Sequence, residues 1–220
     1  MKTQVFTLII LAVAMTTMPA RAENVSVGIK AGTLGLGVEL SMPLGMNNLN
    51  GRLGFNYYSD EESDTLDGVD YDADVELKTF SAMLDWHPMA NGFRLTGGLF
   101  YNGNEGSIES TSVGSVDIGG TTFILGPNDK LSGDVDFNTL APYLGIGYGQ
   151  AFGHAGRLSF SVDLGVLFQG SPNVSLNAEG PLSGLPGIQA AVDQEEKNIQ
   201  DDVDNFEYYP VVSLGVSYRY

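Results

Sequence analysis

From Val25 onward the chain alternates between apolar residues and small or polar ones. This period of two sets one face of a β-strand in an apolar medium and the other in a polar one. Val25, Val27, Ile29 and Ala31 alternate with Ser26, Gly28, Lys30 and Gly32. After a tight turn near Thr33, the apolar positions are Leu34, Leu36, Val38, Leu40 and Met42, against Gly35, Gly37, Glu39 and Ser41. Leu53, Phe55 and Tyr57 follow, interleaved with Arg52, Gly54 and Asn56. The next segment has Val75 and Leu77 on one parity but Phe80, Ala82, Leu84 and Trp86 on the other. That switch predicts a bulge near Lys78 or Thr79, because a one-residue insertion exchanges the faces. Further strands are expected around Phe93–Asn102, Leu140–Gly149, Leu158–Phe168 and Tyr208–Tyr220, each with the same alternation.

Eight strands result, joined alternately by short and long connections. The stretches 43–48, 87–92 and 152–157 read as turns, and 59–70, 103–130 and 169–205 as long loops. This rhythm predicts an all-β fold, an eight-stranded antiparallel up-and-down transmembrane β-barrel with short periplasmic turns and long outer loops. A soluble barrel would have to pack nearly every Leu, Val and Phe into a lumen too narrow for them. It would also leave a glycine-rich exterior, so the apolar faces are assigned to lipid.

The N-terminal residues agree with export. Lys2, the mostly apolar Val5–Met15 and the small-residue ending Ala20-Arg21-Ala22 read as a signal peptide over 1–22. Residues 23–220 then form the outer-membrane barrel domain. The formal net charge of −17 becomes two units more negative once Lys2 and Arg21 leave with the leader. Such a balance argues against nucleic acid as a partner, since that affinity rests on neutralising phosphates. Zero cysteines exclude a disulfide framework and thiolate metal sites.

With the apolar faces turned to lipid, the lumen receives Lys30, Glu39, Arg52, Asp85, Arg94, Asp163 and Arg219. Buried charges persist only when paired, so a lumen charge network is expected. It serves either as a structural plug or as a selectivity cluster in a narrow pore. Arg52, Asp85, Arg94 and Arg219 should meet near the periplasmic strand ends, and the many inward glycines should leave room for water. The long loops concentrate acid. Asp70, Asp72 and Asp74 share one strand face, and Asp201, Asp202 and Asp204 close a second cluster. Together they predict an acidic outer rim. Asp70, Asp72 and Asp74 are arranged so that they could hold a divalent cation, but their spacing fits no twelve-residue calcium loop. A solvated rim is the usual reading of such a run, and no metal or other cofactor is assigned. After Pro186-Gly187, the residues Ile188, Val192, Ile199 and Val203 fall at helical spacing. They predict a short amphipathic helix over the opening. In the last strand, Val212, Leu214, Val216, Tyr218 and Tyr220 alternate up to a terminal aromatic. That pattern resembles the signal read by the barrel-assembly machinery.

Several segments resemble the carbapenem-resistance-associated outer-membrane protein family, also described as ornithine-uptake porins. They are Leu131–Tyr148, Gly170–Leu176, Ala190–Asp202 and Phe206–Val212, with weaker matches at Gly32–Gly35 and Tyr71–Asp74. The resemblance implies an eight-stranded outer-membrane barrel and, for some members, passage of basic amino acids. It supplies no substrate-binding residue to carry over.

Two functions stand open on the sequence. One is a narrow cation-preferring diffusion channel for small solutes such as basic amino acids. The other is a non-conducting barrel acting at the surface through its acidic loops. Outer-membrane lipid and lipopolysaccharide are the expected surroundings. An enzyme is not expected, because the two histidines, His87 and His154, fall in predicted periplasmic turns without a nearby nucleophile.

Overall fold

The computed structural model describes residues 25–46, 48–66, 69–110, 113–149 and 157–220. The expected signal peptide and His154 lie outside them. The strands begin with β1 (Ser26–Gly32), β2 (Gly35–Pro43), β3 (Leu49–Leu66), β4 (Val69–Trp86) and β5 (Phe93–Asn102). Next come β6 (Glu105–Ser110), β7 (Gly114–Ile118), β8 (Thr121–Leu125), β9 (Lys130–Asp136) and β10 (Leu140–Tyr148). The last are β11 (Leu158–Phe168), β12 (Asn173–Glu179) and β13 (Tyr208–Arg219), with helix α1 (Ile188–Val203) before β13. Eight of them close an antiparallel ring in the order β1, β2, β3, β4, β5, β10, β11, β13, with β13 pairing back on β1. A closed ring has no free edge, as a lipid-embedded sheet requires.

The side chains follow the alternation. Phe160, Leu144, Leu214 and Ile29 stand exposed on the outer wall, while Arg52, Asn56, Asp85 and Asp163 are buried within. This belt of apolar side chains is the lipid-facing surface of an integral outer-membrane barrel. The turn near Thr33 is a two-residue connection between the paired Gly32 and Gly35, and Gly35 adopts φ 87° there. Leu34 does not face lipid as its parity suggested but tucks into the outer mouth, 4% exposed. Thr33 fixes this turn to β13. Its N–H donates to Val212 O at 3.0 Å, and its carbonyl accepts from Tyr209 Oη at 2.6 Å.

No bulge interrupts β4. Its pairing with β3 runs in unbroken register from Leu49↔Trp86 to Leu66↔Val69. The apolar residues change parity because the strand changes surroundings. Below Thr79 the outer face of β4 meets lipid, whereas above it the inner face lines a second apolar core and the outer face meets water. Phe80 and Leu84 serve the first situation, Val69 and Tyr71 the second.

The stretches 59–70, 103–130 and 169–205 are therefore not simple loops. Residues 59–66 and 69–70 are the paired ends of two 18-residue strands. Thr79–Trp86 of β4 pairs with β5, but Tyr71–Glu76 pairs with β6, which continues to β9 and β12. One strand thus belongs to the barrel below and to a five-stranded sheet above (β3, β4, β6, β9, β12). The apolar face of that sheet packs on the β7–β8 hairpin and α1 around Val69, Ile118, Leu125, Leu182, Ile188 and Val192. The helix is where the spacing placed it, with Ile188 and Val192 buried and Ile199 and Val203 partly so. It covers this lobe instead of the barrel mouth. Its side chains also cap the edge strand: Gln200 Oε1 accepts from Val174 N at 3.1 Å and Glu196 Oε2 from Leu176 N at 3.2 Å. An edge covered in this way is closed to pairing with other chains.

Candidate functional site

The lumen is filled in tiers. At the periplasmic end His87 is buried, with Nδ1 3.1 Å from Phe93 O and 3.2 Å from Asn91 O. Both contacts are to carbonyls, so Nδ1 carries the proton and Nε2 accepts from Asn50 Nδ2 at 3.2 Å. The histidine thus braces the turn, as a turn residue would.

Above it the inward parities of β1, β2, β3, β4, β5 and β11 converge. Arg94 Nη2 donates to both oxygens of Asp163, at 2.7 and 2.8 Å. Arg52 joins three strands: Nη2 to Asp85 at 2.9 Å, Nη1 to Glu39 at 3.2 Å and Nη1 to Asp163 at 3.3 Å. Thr96 Oγ1 donates to Asp85 at 2.6 Å, and Lys30 Nζ lies 3.6 Å from Glu39. Three cations meet three carboxylates, which is the neutral, hydrogen-bonded arrangement that buried charges require. The structure brings together six of the seven residues expected in the lumen: Lys30, Glu39, Arg52, Asp85, Arg94 and Asp163. Arg219 lies at the end of β13, where its backbone N–H donates to Arg157 O at 2.8 Å.

The next tier is apolar and was not anticipated. Met83, Phe100, Ala141, Tyr143, Leu167 and Val211 form a core inside the barrel with Leu34. The Phe100 and Tyr143 rings lie 5.3 Å apart. The inward glycines make room for these side chains instead of water. A Cβ at Gly145 or Gly165 would strike the Tyr143 ring, and one at Gly147 would strike Asp163 and Arg94. A large residue facing two glycines on neighbouring strands is the signal that could have revealed the tier. Small cavities lie among the described residues, about 20 Å³ above the charges and about 10 Å³ below them. Each has room for about one water. Arg52 lines both.

Gly165→Val is expected to destabilise the barrel by about 1–3 kcal/mol through overpacking against Tyr143. Gly97→Val should be neutral, since its Cβ would meet only Leu144 Cδ2 at 3.7 Å on the lipid side. Urea midpoints of the gel-mobility shift between folded and unfolded barrel will compare the two.

The two acidic groups lie on opposite sides of the lobe. Asp70, Asp72 and Asp74 are exposed on the outer face of β4, and Asp201, Asp202 and Asp204 lie at the far end of α1, which packs on the other face. They do not form a single rim. At the outer sheet face Lys130 reaches Glu109 at 2.7 Å, and this hydrogen bond holds the exposed ammonium above its ordinary pKa. Val212, Leu214, Val216, Tyr218 and Tyr220 follow the outward parity of the strand that seals the ring.

Neither a family model nor a curated protein matches the sequence. Two solved structures from Acinetobacter baumannii do resemble the fold. CarO2 is 25% identical with a TM-score of 0.58, the match covering 90% of this chain and 99% of that one. CarO is 24% identical with a TM-score of 0.57, covering 92% and 100%. With the closed ring and the lipid-facing belt, the chain is an eight-stranded outer-membrane barrel similar in fold to the CarO structures.

Proposed function

We propose that this protein is a display barrel, whose eight strands anchor a folded acidic lobe at the outer surface, where the lobe meets its partners. The supporting observation is the filling of the lumen. Among the described residues, charges and an apolar core occupy it, and the cavities beside the charges measure about 20 and 10 Å³. Solutes the size of an amino acid do not fit. Eight strands leave an interior that side chains just fill. Outside, by contrast, the chain builds a second core to hold its lobe in shape. Lipid and lipopolysaccharide would surround the belt, and the barrel-assembly machinery would read β13.

One observation favours a second reading, a narrow cation-preferring channel for small solutes such as basic amino acids. What separates the two cavities is side chains, chiefly Arg52 and its partners, and side chains can move. Liposome swelling decides between the readings. Liposomes holding the folded protein should swell no faster than empty ones in arginine, ornithine, glutamate or neutral amino acids. Faster entry of the cationic solutes would replace the display reading with the channel.

A further inference from the structure

The outer face of the lobe sheet carries carboxylates in register. Strand pairing sets Ser59, Glu76, Glu105, Asp136 and Asn173 side by side across five strands. The row above it is Glu61, Asp74, Ser107, Asp134 and Ser175. Like charges directly opposite each other destabilise a sheet. Glu76↔Glu105, Glu105↔Asp136 and Asp72↔Glu109 are each such a pair. Relief within the chain comes from the margins: Asn173 Nδ2 donates to Asp136 at 3.1 Å, Lys78 lies 3.9 Å from Glu76, and Lys130 and Ser63 engage Glu109 and Asp72 at 2.7 and 2.6 Å. The centre keeps its repulsion, and a cationic partner would remove it.

A second feature lies below, on the same outer wall. An apolar groove of about 530 Å³ is walled by Ile29, Leu36, Phe55, Phe160 and Leu214. Its floor includes Ala31, a small residue flanked in register by Leu36 and Leu214. Tyr57 lines both this groove and the acidic depression of about 490 Å³ above it. The apolar surface in the membrane and the charged surface outside it are thus continuous.

We propose that this continuous surface docks a cationic amphipathic peptide arriving at the outer face of the membrane. Its Lys or Arg side chains lie on the carboxylate rows, and its apolar side chains enter the groove. The inference rests on the display reading and adds the class of partner. The rows step about 4.8 Å between strands and roughly 7 Å along them, so a single ammonium cannot neutralise both. A chain carrying several cations can. The rows alone would accept any polycation and the groove any acyl chain. Together they favour one molecule with both characters.

The test measures binding of a fluorescent Lys/Leu amphipathic peptide, and of polylysine, to the full protein in nanodiscs. The variant Asp74→Asn/Glu105→Gln/Asp134→Asn should bind the amphipathic peptide at least about tenfold more weakly. It should still fold, since it relieves like-charge rows, and the lone Trp86 reports on the barrel. The variant Asp201→Asn/Asp202→Asn/Asp204→Asn removes the same charge from the opposite side and should bind as the parent does. Ala31→Trp, which fills the groove, should weaken the amphipathic peptide and leave polylysine unchanged. Equal losses from the two triple variants, indifference to Ala31→Trp, or no binding by the parent would overturn the proposal. A swelling result bears on the display reading alone, so a conducting barrel that still binds the peptide would separate the two.

Discussion

Replacing Asp163 with alanine is expected to destabilise the barrel by roughly 3–5 kcal/mol, the cost of breaking a buried ion pair from one side. Asp163 takes both bonds of the Arg94 fork, at 2.7 and 2.8 Å, and a third from Arg52 at 3.3 Å. Without it Arg52 keeps Asp85 and Glu39, but Arg94 keeps only Gly149 O at 2.9 Å and a distant Asp85 at 3.8 Å. An uncompensated cation would then sit in a closed lumen. Denaturant unfolding in detergent micelles, followed by Trp86 fluorescence, measures the loss. Arg94→Met/Asp163→Leu removes both partners and restores neutrality, so it should recover most of the stability. If the double variant is no better than the single one, the cluster is not held by charge balance.

The second large effect concerns the lobe. Leu125 is 1% exposed in a core that shares no buried side chain with the core in the barrel lumen. Leu125→Asp should cost at least the roughly 2–5 kcal/mol of truncating a buried leucine, with an unpaired charge added. That is enough to open a small lobe. Limited proteolysis should then cut between β7 and α1, while the ring keeps its folded gel mobility. Loss of the ring in the same variant would mean that the two cores form one cooperative unit.

The barrel itself could be read from the sequence because lipid and lumen impose opposite polarity on alternate residues over the whole length of a strand. Ile29 beside Lys30 and Val162 beside Asp163 leave little choice of face. The lobe could not be read in that way. Val69 and Tyr71 obey the same alternation with the opposite meaning, because above the membrane the apolar side is inside. A bulge was the natural explanation for a strand that passes from one solvent to another. The charge cluster was legible because buried charges must find partners. The Tyr143–Phe100 tier was missed because an inward aromatic looks like an exception until the glycines opposite it are counted as its space.

The continuity of β4 also bears on how this molecule would behave under load. At about 3.3 Å per residue, its 18 residues span roughly 60 Å. The barrel wall and the lobe are parts of the same rod, with no hinge between them. A pull on the lobe directed away from the cell would run along that rod. Since β3 extends with it, the pull would load the hydrogen bonds of β4 to β5 and of β3 to β2 side by side in shear, not one after another as in unzipping. The lobe would hold its orientation under traction, and the anchor would resist until many bonds failed together.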